Sequence, residues 1–189
     1  MHIHLFMKGK KKMTNAIEKI YSLTEVYRWN GTANQMADTV AQHSYCVTCL
    51  CLMIAEVYPE NIDEKDLMLV ALYHDIAEAD IAHITYGAKK CSAILKKEVN
   101  DIKETLFRTW SKQRGFSYIT ENPKMFEMYK EIIEFADNLD ACIHCKQEVE
   151  MGNQKMQMIY LMQKEKLLQK VKNNNWAGQF YTKYLTEIF

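Results

Sequence analysis

The stretch DEKDLMLVALYHDIAEAD, residues 63–80, decides the fold. Its apolar residues recur every three or four positions, which is the period of an α-helix that buries one face. Asp63 suits the N-cap of this helix, and acidic residues follow it at the positive end of the helix dipole. The predicted inner face of this helix carries two polar residues, His74 and Glu78, in line with the apolar residues Leu67, Val70 and Ala71. Two polar side chains therefore interrupt an apolar stripe.

The rest of the chain repeats this helical pattern. Of its 189 residues 48% are hydrophobic and 25% charged, and only 6 Gly and 2 Pro interrupt the helical runs. This length fits one domain, and we predict an all-α fold with a disordered extension at 1–12 and a single domain over 13–189. Predicted helices cover about 15–27, 36–58, 63–80, 91–112, 124 onward, 154–172 and an aromatic final segment, with a loop at 115–123.

Charge and glycine spacing exclude several classes of partner. The 24 basic and 24 acidic residues leave no net positive field, so we expect no nucleic-acid partner. The glycines do not fall at phosphate-loop or dinucleotide-loop spacing. No apolar run approaches the ~20 residues that span a bilayer, so we expect no membrane partner. The basic run 8–12 follows the short apolar start, which does not fit a signal peptide, and we expect a cytoplasmic protein.

Two C-x-x-C pairs, Cys46 with Cys49 and Cys142 with Cys145, raise the alternative of a four-cysteine zinc site. Both pairs lie inside predicted helices, whereas zinc-binding pairs usually sit on tight turns near glycine. We therefore expect reduced thiols that serve as small apolar core residues.

Three further polar residues interrupt apolar stripes or lie beside them. His43 lies within the stripe of the helix 36–58, Asp75 follows His74, and Asp137 lies within the stripe of the helix that starts near 124. Taken singly, such residues are more often satisfied core histidines or aspartates that bond to a neighbouring helix. A buried carboxylate needs a partner, however, and a shared divalent metal ion with open coordination positions would satisfy all four groups.

The motifs VYRW (26–29), DTVAQHSY (38–45), ALYHDIAEAD (71–80) and EFADNLDA (134–141) stand in a characteristic order. Together they resemble the HD-domain metal-dependent phosphohydrolases, and most closely the bacterial HD-domain 5'-deoxynucleotidases. The resemblance implies a single-domain HD-type helical bundle that hydrolyses nucleoside 5'-monophosphates, most often those of deoxyribonucleosides. It thus implies a metal-dependent phosphomonoesterase with a small nucleotide substrate.

The resemblance also assigns roles to residues. It implies that one divalent ion (Mn, Co, Zn, Mg or Ni) is bound by His43, His74, Asp75 and Asp137. It implies that Glu78 is a catalytic carboxylate. It places two residues, Arg28 and Trp29, at the border of the nucleotide.

Two positions depart from the family pattern. Gln42 stands where the family usually has Glu, and His83 stands where it has a catalytic Asp. Asp80 or His83 can take over the role of that acid. The departure keeps two alternatives open: an HD hydrolase for nucleotide triphosphates or phosphodiesters, and a metal-stabilised binding module with attenuated catalysis. The aromatic final helix can cover either the core or the partner in a homodimer.

Overall fold

The computed structural model describes residues 16–111, 122 and 124–189, and within them the chain forms helices and no strand. The all-α prediction is therefore confirmed. The expected extension at 1–12 and most of the expected loop at 115–123 lie outside the described residues. The helices are α1 Ala16–Ser22, α2 Val40–Ala55, α3 Glu64–Tyr73, α4 Glu78–Ile81, α5 Tyr86–Cys91, α6 Ala93–Ser111, α7 Lys124–Glu150, α8 Gln157–Asn173 and α9 Asn175–Phe180. A 3₁₀ turn (Gln154–Met156) precedes α8, and a π-helical turn (Tyr181–Leu185) follows α9.

The core forms where α2, α3 and α8 pack around the long helix α7. The aromatic C-terminal segment closes this core, because Trp176 and Phe180 are buried and their rings lie 5.1 and 5.9 Å from that of Phe135. Of the two alternatives left open by the sequence, the largest side chains of this segment thus cover the core. Burial of these aromatic side chains contributes a large share of the apolar driving force for folding.

The first two helices are shorter than predicted, because the chain between them pairs with itself. Backbone Arg28 N–H donates to Asp38 O at 2.8 Å, and Val40 N–H donates to the carbonyl of Val26 at 2.9 Å. This short antiparallel bridge takes up backbone groups that a longer helix would use. It places Arg28 and Trp29 beside Asp38.

A capping box fixes the start of α2. The Thr39 side chain accepts a hydrogen bond from the backbone of Gln42, and Gln42 Oε1 accepts one from Thr39 N–H at 2.9 Å. The helix therefore begins at Val40 rather than near residue 36. Gln42, which departs from the family pattern, has a structural role here.

The stretch 63–80 folds as two helices rather than one. The side chain of Asp63 caps α3 as predicted, but α3 ends at Tyr73 and His74 follows as its C-cap. Tight i→i−3 bonds then carry the chain to α4, including the bond from Glu78 N–H to Asp75 O at 2.9 Å. The prediction of one continuous helix through Glu78 was wrong here, because these tighter bonds break the α-helical ladder.

The two C-x-x-C pairs lie in different surroundings. Cys46 and Cys49 are exposed, whereas Cys142 and Cys145 are buried, and all of them are free thiols. The expectation of core cysteines is thus correct for the second pair and wrong for the first. None of the helices in the described part of the chain is both long and apolar enough to cross a membrane.

Candidate active site

Three of the predicted metal ligands come together where α2 meets the turn after α3. One ligand atom each from His43, His74 and Asp75 lies within 4.8 Å of the others. Asp75 Oδ2 is 3.4 Å from His74 Nε2 and 3.9 Å from His43 Nε2. Both Nε2 atoms are buried and have no hydrogen-bond partner. Two unpaired imidazole nitrogens facing one carboxylate form a donor set that fits a divalent cation.

Asp137, the fourth predicted ligand, reaches the site from α7. Its Oδ1 lies 3.2 Å from His43 Nε2, and half of its side chain is exposed. Burial of the carboxyl group opposes ionisation, but contact with His43 and the nearby charges of His74 and Arg28 hold the pKa of Asp137 below its usual range. The structure thus groups three predicted ligands tightly and brings the fourth against one of them.

His43, His74 and Asp75 each have one further polar atom, which bonds to a neighbouring residue outside the three. His43 Nδ1 lies 2.7 Å from Asp140 Oδ2, and His74 Nδ1 lies 2.7 Å from the carbonyl oxygen of Ala71. Lys103 Nζ donates to Asp75 Oδ1 at 2.8 Å. Because the partners of both Nδ1 atoms are oxygen acceptors, we assign one ring proton to each Nδ1, which makes Nε2 the atom of each ring that would bind a metal ion.

The charges of the site shift the pKa values of its members in opposite directions. Burial disfavours the imidazolium form of His43, but the close contact with Asp137 and the hydrogen bond to Asp140 outweigh this effect and raise the pKa of His43 to about 9. Burial likewise opposes ionisation of Asp75, yet the charges of His74 and Lys103 hold its pKa well below the usual range. Without a metal ion, the His43 ring therefore carries a proton on Nε2 as well as on Nδ1, and a bound cation would displace the proton on Nε2.

Glu78 is only 1% exposed. Its Oε1 accepts from Lys103 Nζ at 2.7 Å, and its Oε2 lies 3.0 Å from His83 Nδ1. Asp80, the other candidate acid, instead forms an ion pair with Lys19 of α1. Of the two residues predicted to replace the family Asp, His83 is the one that contacts Glu78.

Arg28 borders the site from the loop before α2 and is only 7% exposed. Its Nη1 donates to Asp38 at 3.0 Å and to Asp140 at 2.8 Å, and its Nη2 lies 3.9 Å from Asp137 Oδ1. Three carboxylates therefore surround the guanidinium group of Arg28. Both of these hydrogen bonds use Nη1, whereas Nη2 has only the longer contact with Asp137.

Trp29 is held rigidly next to Arg28. Its Nε1 donates to Asp38 at 2.9 Å, and its ring lies parallel to that of His144, with a centroid distance of 5.1 Å and an angle of 5°. Its φ of 61° lies in the left-handed region, which a bulky residue occupies only when its surroundings impose it. Strain of this kind is typical of functional sites.

Comparison with known proteins identifies the family of this chain. The sequence profile described as 5'-deoxynucleotidase YfbR-like matches residues 15–188. The chain belongs to this family. It is also 30% identical, over 188 residues, to a 4'-phosphooxetanocin A phosphatase of Priestia megaterium, a match that covers 93% of this chain and 94% of the relative.

Solved structures share the fold of this YfbR-like chain. An HD-domain phosphohydrolase of Listeria innocua superposes with a TM-score of 0.71 at 18% identity, covering 89% of this chain and 85% of that one. The HD phosphohydrolase DatZ of cyanophage S-2L, bound to dA and one catalytic Zn²⁺ ion, has a TM-score of 0.63 at 16% identity and coverages of 90% and 96%. The predicted HD-type fold is therefore confirmed. Family membership makes the chain a phosphohydrolase of the phosphomonoesterase type that acts on nucleotides.

Sequence reasoning missed four residues that surround the predicted ones in this YfbR-like site: Asp38, Lys103, Asp140 and His144. Asp38 and Asp140 lie inside motifs that were recognised, and Asp140 follows Asp137 by three residues, a spacing that places both on one helix face. That spacing was a usable signal. Lys103 comes from α6, far along the chain, and no local pattern marks it.

Proposed function

We propose that this protein hydrolyses deoxyribonucleoside 5'-monophosphates to nucleoside and phosphate, with one divalent metal ion bound by His43, His74, Asp75 and Asp137. One observation carries the proposal: two buried Nε2 atoms without partners face the same carboxylate oxygen. The family assignment supports the 5'-monophosphate, and the Zn²⁺ and dA bound by DatZ support the metal and the deoxynucleoside. We expect no nucleic-acid partner, and a homodimer remains compatible with this site.

The charge balance of the site supports a bound cation. Two fixed cations, Arg28 and Lys103, face five carboxylates: Asp38, Asp75, Glu78, Asp137 and Asp140. This excess of negative charge would repel a phosphate dianion. A divalent ion held here would supply the missing positive charge, activate water at neutral pH and neutralise charge on the phosphoryl group.

Glu78 and His83 form a pair suited to moving a proton. Both carboxylate oxygens of Glu78 are engaged, one by Lys103 and the other by His83 Nδ1. Glu78 therefore fixes the orientation of the His83 ring, as a carboxylate does for the histidine of a catalytic triad. In this arrangement His83 Nε2 donates a proton to the leaving 5' oxygen, the role that the family Asp would otherwise have.

Arg28 and Trp29 supply the substrate contacts. Arg28 approaches the phosphate with its Nη2 edge, since Nη1 is used by Asp38 and Asp140. Trp29 cannot rotate freely, because Asp38 and His144 hold its ring, and it forms a flat wall against the sugar or the base.

A substrate panel tests the proposal. Metal-reconstituted protein is assayed for phosphate release from deoxy and ribo mono-, di- and triphosphates and for cleavage of a phosphodiester, with chelator-treated protein as the control. We expect the highest kcat/KM for deoxyribonucleoside 5'-monophosphates. A higher kcat/KM for triphosphates or for the diester would support the alternative of an HD hydrolase that acts on those substrates. Bound metal without turnover on any substrate would identify a binding module.

A further inference from the structure

We infer that Asp140 is a positioning residue that sets the tautomer of His43 and, through the same oxygen, the position of Arg28. The inference rests on the proposed function, because it concerns the readiness of this site for a metal ion and a phosphate. Asp140 lies on α7 one turn after Asp137, and it has no role among the predicted ligands.

The contact with His43 is the first part of the argument. Asp140 Oδ2 is 2.7 Å from His43 Nδ1, a short contact that fits N–H donation to a carboxylate. A neutral imidazole with its proton on Nδ1 presents a lone pair on Nε2, and Nε2 is the atom that is buried without a partner. Without the acceptor at Nδ1, the proton can occupy Nε2 and block the donor atom.

The contact with Arg28 is the second part. The same Oδ2 atom accepts from Arg28 Nη1 at 2.8 Å, so one oxygen bridges the candidate ligand and the candidate phosphate-binding residue. Arg28 also bonds to Asp38, which means that it keeps an ionic partner when Asp140 is changed. His43 Nδ1 has no other hydrogen-bond partner among the described contacts. The larger consequence of losing Asp140 therefore falls on His43.

These contacts separate positioning from general stabilisation. An Asn at position 140 keeps an oxygen that can accept from both donors but removes the negative charge, whereas Leu has a similar shape and no acceptor. A role in positioning thus predicts a graded series, with Asp140→Asn between the wild type and Asp140→Leu. Because Asn matches Asp in size and Leu is larger, a loss of packing can give the same order of Zn²⁺ affinities, and the protonation pattern of the His43 ring separates the two roles.

The experiment measures Zn²⁺ affinity of the full chain by competition with a chromophoric chelator, without any nucleotide. Asp140→Leu is expected to bind Zn²⁺ about 10- to 100-fold more weakly than the wild type, and Asp140→Asn to lose less. Asp101→Leu, an exposed aspartate on α6, is the matched control and should retain wild-type affinity. Arg28→Ala should not weaken Zn²⁺ binding, since it removes a positive charge from the site.

Long-range ¹H–¹⁵N spectra of the histidine rings give a second measurement. With only 6 His in the chain, the His43 signals can be assigned with a single variant. We expect protonated Nδ1 and Zn²⁺-bound Nε2 in the wild type, and loss of that pattern in Asp140→Leu. If that variant does not fold, the spectrum of Asp140→Asn decides. Wild-type protein that does not bind Zn²⁺ would contradict the proposed function, whereas wild-type binding with unchanged affinity in Asp140→Leu would contradict only this inference.

Discussion

His83 Nδ1 lies 3.0 Å from Oε2 of Glu78, and this contact joins the residue that departs from the family pattern to the carboxylate that we propose to be catalytic. Glu78 is almost completely buried and also accepts from Lys103, so its second oxygen is available to orient the histidine. The contact favours His83 over Asp80 as the proposed replacement for the family Asp. Asp80 is engaged by Lys19 on α1.

Loss of the His83 ring should lower turnover. We expect His83→Ala to reduce kcat for a deoxyribonucleoside 5'-monophosphate by about 100-fold, the lower range for loss of acid–base help, with unchanged metal content. Asp80→Asn serves as the control and should change kcat less than twofold, since it removes a surface ion pair. A larger loss in Asp80→Asn than in His83→Ala would reverse the assignment.

Removing the charge of Glu78 should affect chemistry more than metal binding. Glu78→Gln keeps the size of the side chain but places an amide against Lys103 and His83. We expect kcat to fall by about two to four orders of magnitude, with metal content measured by atomic emission unchanged. Wild-type turnover in this variant would exclude the proposed Glu78–His83 pair.

The metal site should depend on the turn after α3. His74→Ala and Asp75→Ala each remove one atom of the group that lies within 4.8 Å, and each should lower both the bound metal and the metal-dependent rise in Tm. Metal analysis and thermal unfolding with and without Zn²⁺ measure the two effects. Full metal occupancy in a variant with alanine at His43, His74, Asp75 and Asp137 would place the ion elsewhere.

Lys103 should stabilise the protein through the carboxylates it pairs with. Its ammonium group donates to both Asp75 and Glu78, and in its absence Glu78 would stay buried without its cationic partner. We expect Lys103→Met to lower the free energy of unfolding of the metal-free protein by about 3 kcal/mol in urea. Lys97→Met, an exposed change on the same helix, is the control and should stay within about 0.5 kcal/mol of the wild type.

Glu148 should make the loop before α2 sensitive to acid. This fully buried carboxylate accepts from the backbone amides of Gln35 at 2.8 Å and Met36 at 2.6 Å, and from the side chain of Asn153 at 2.6 Å. Burial opposes ionisation, but these hydrogen bonds outweigh it and lower the pKa of Glu148 from 4.5. A lowered pKa means that the stabilisation is complete above about pH 4.5 and is lost as the pH falls through the folded-state value.

Substitution of Glu148 measures this contribution. Glu148→Gln should destabilise the protein by about 2 kcal/mol at pH 7, the scale of hydrogen bonds to a charged group. The difference from the wild type should shrink as the pH falls below about 4.5, which urea unfolding at a series of pH values would show. A difference that stays constant down to pH 3 would mean that packing, rather than charge, stabilises the loop.

The approximate positions of the long helices could be predicted from the sequence, because apolar periodicity and few helix breakers act locally. Asp63 illustrates this, since its capping of α3 depends only on its neighbours. The helix ends were less predictable. The early end of α1 and the late start of α2 depend on the bridge between Val26 and Val40, a contact between separate segments.

The candidate site divides in the same way. By itself, the sequence determined which polar residues interrupt the buried stripes and which family their motifs resemble, because both are properties of residue order. Only the tertiary structure decided that Asp140 faces His43, that Lys103 reaches Asp75 and that His83 contacts Glu78. His83 and Glu78 meet because the chain leaves the helix after Ile81, where Ala82 has a φ of 59°. The contacts of Asp140 with His43 and of Lys103 with Asp75 join segments that are distant in the chain. Local periodicity does not determine how such segments pack against each other.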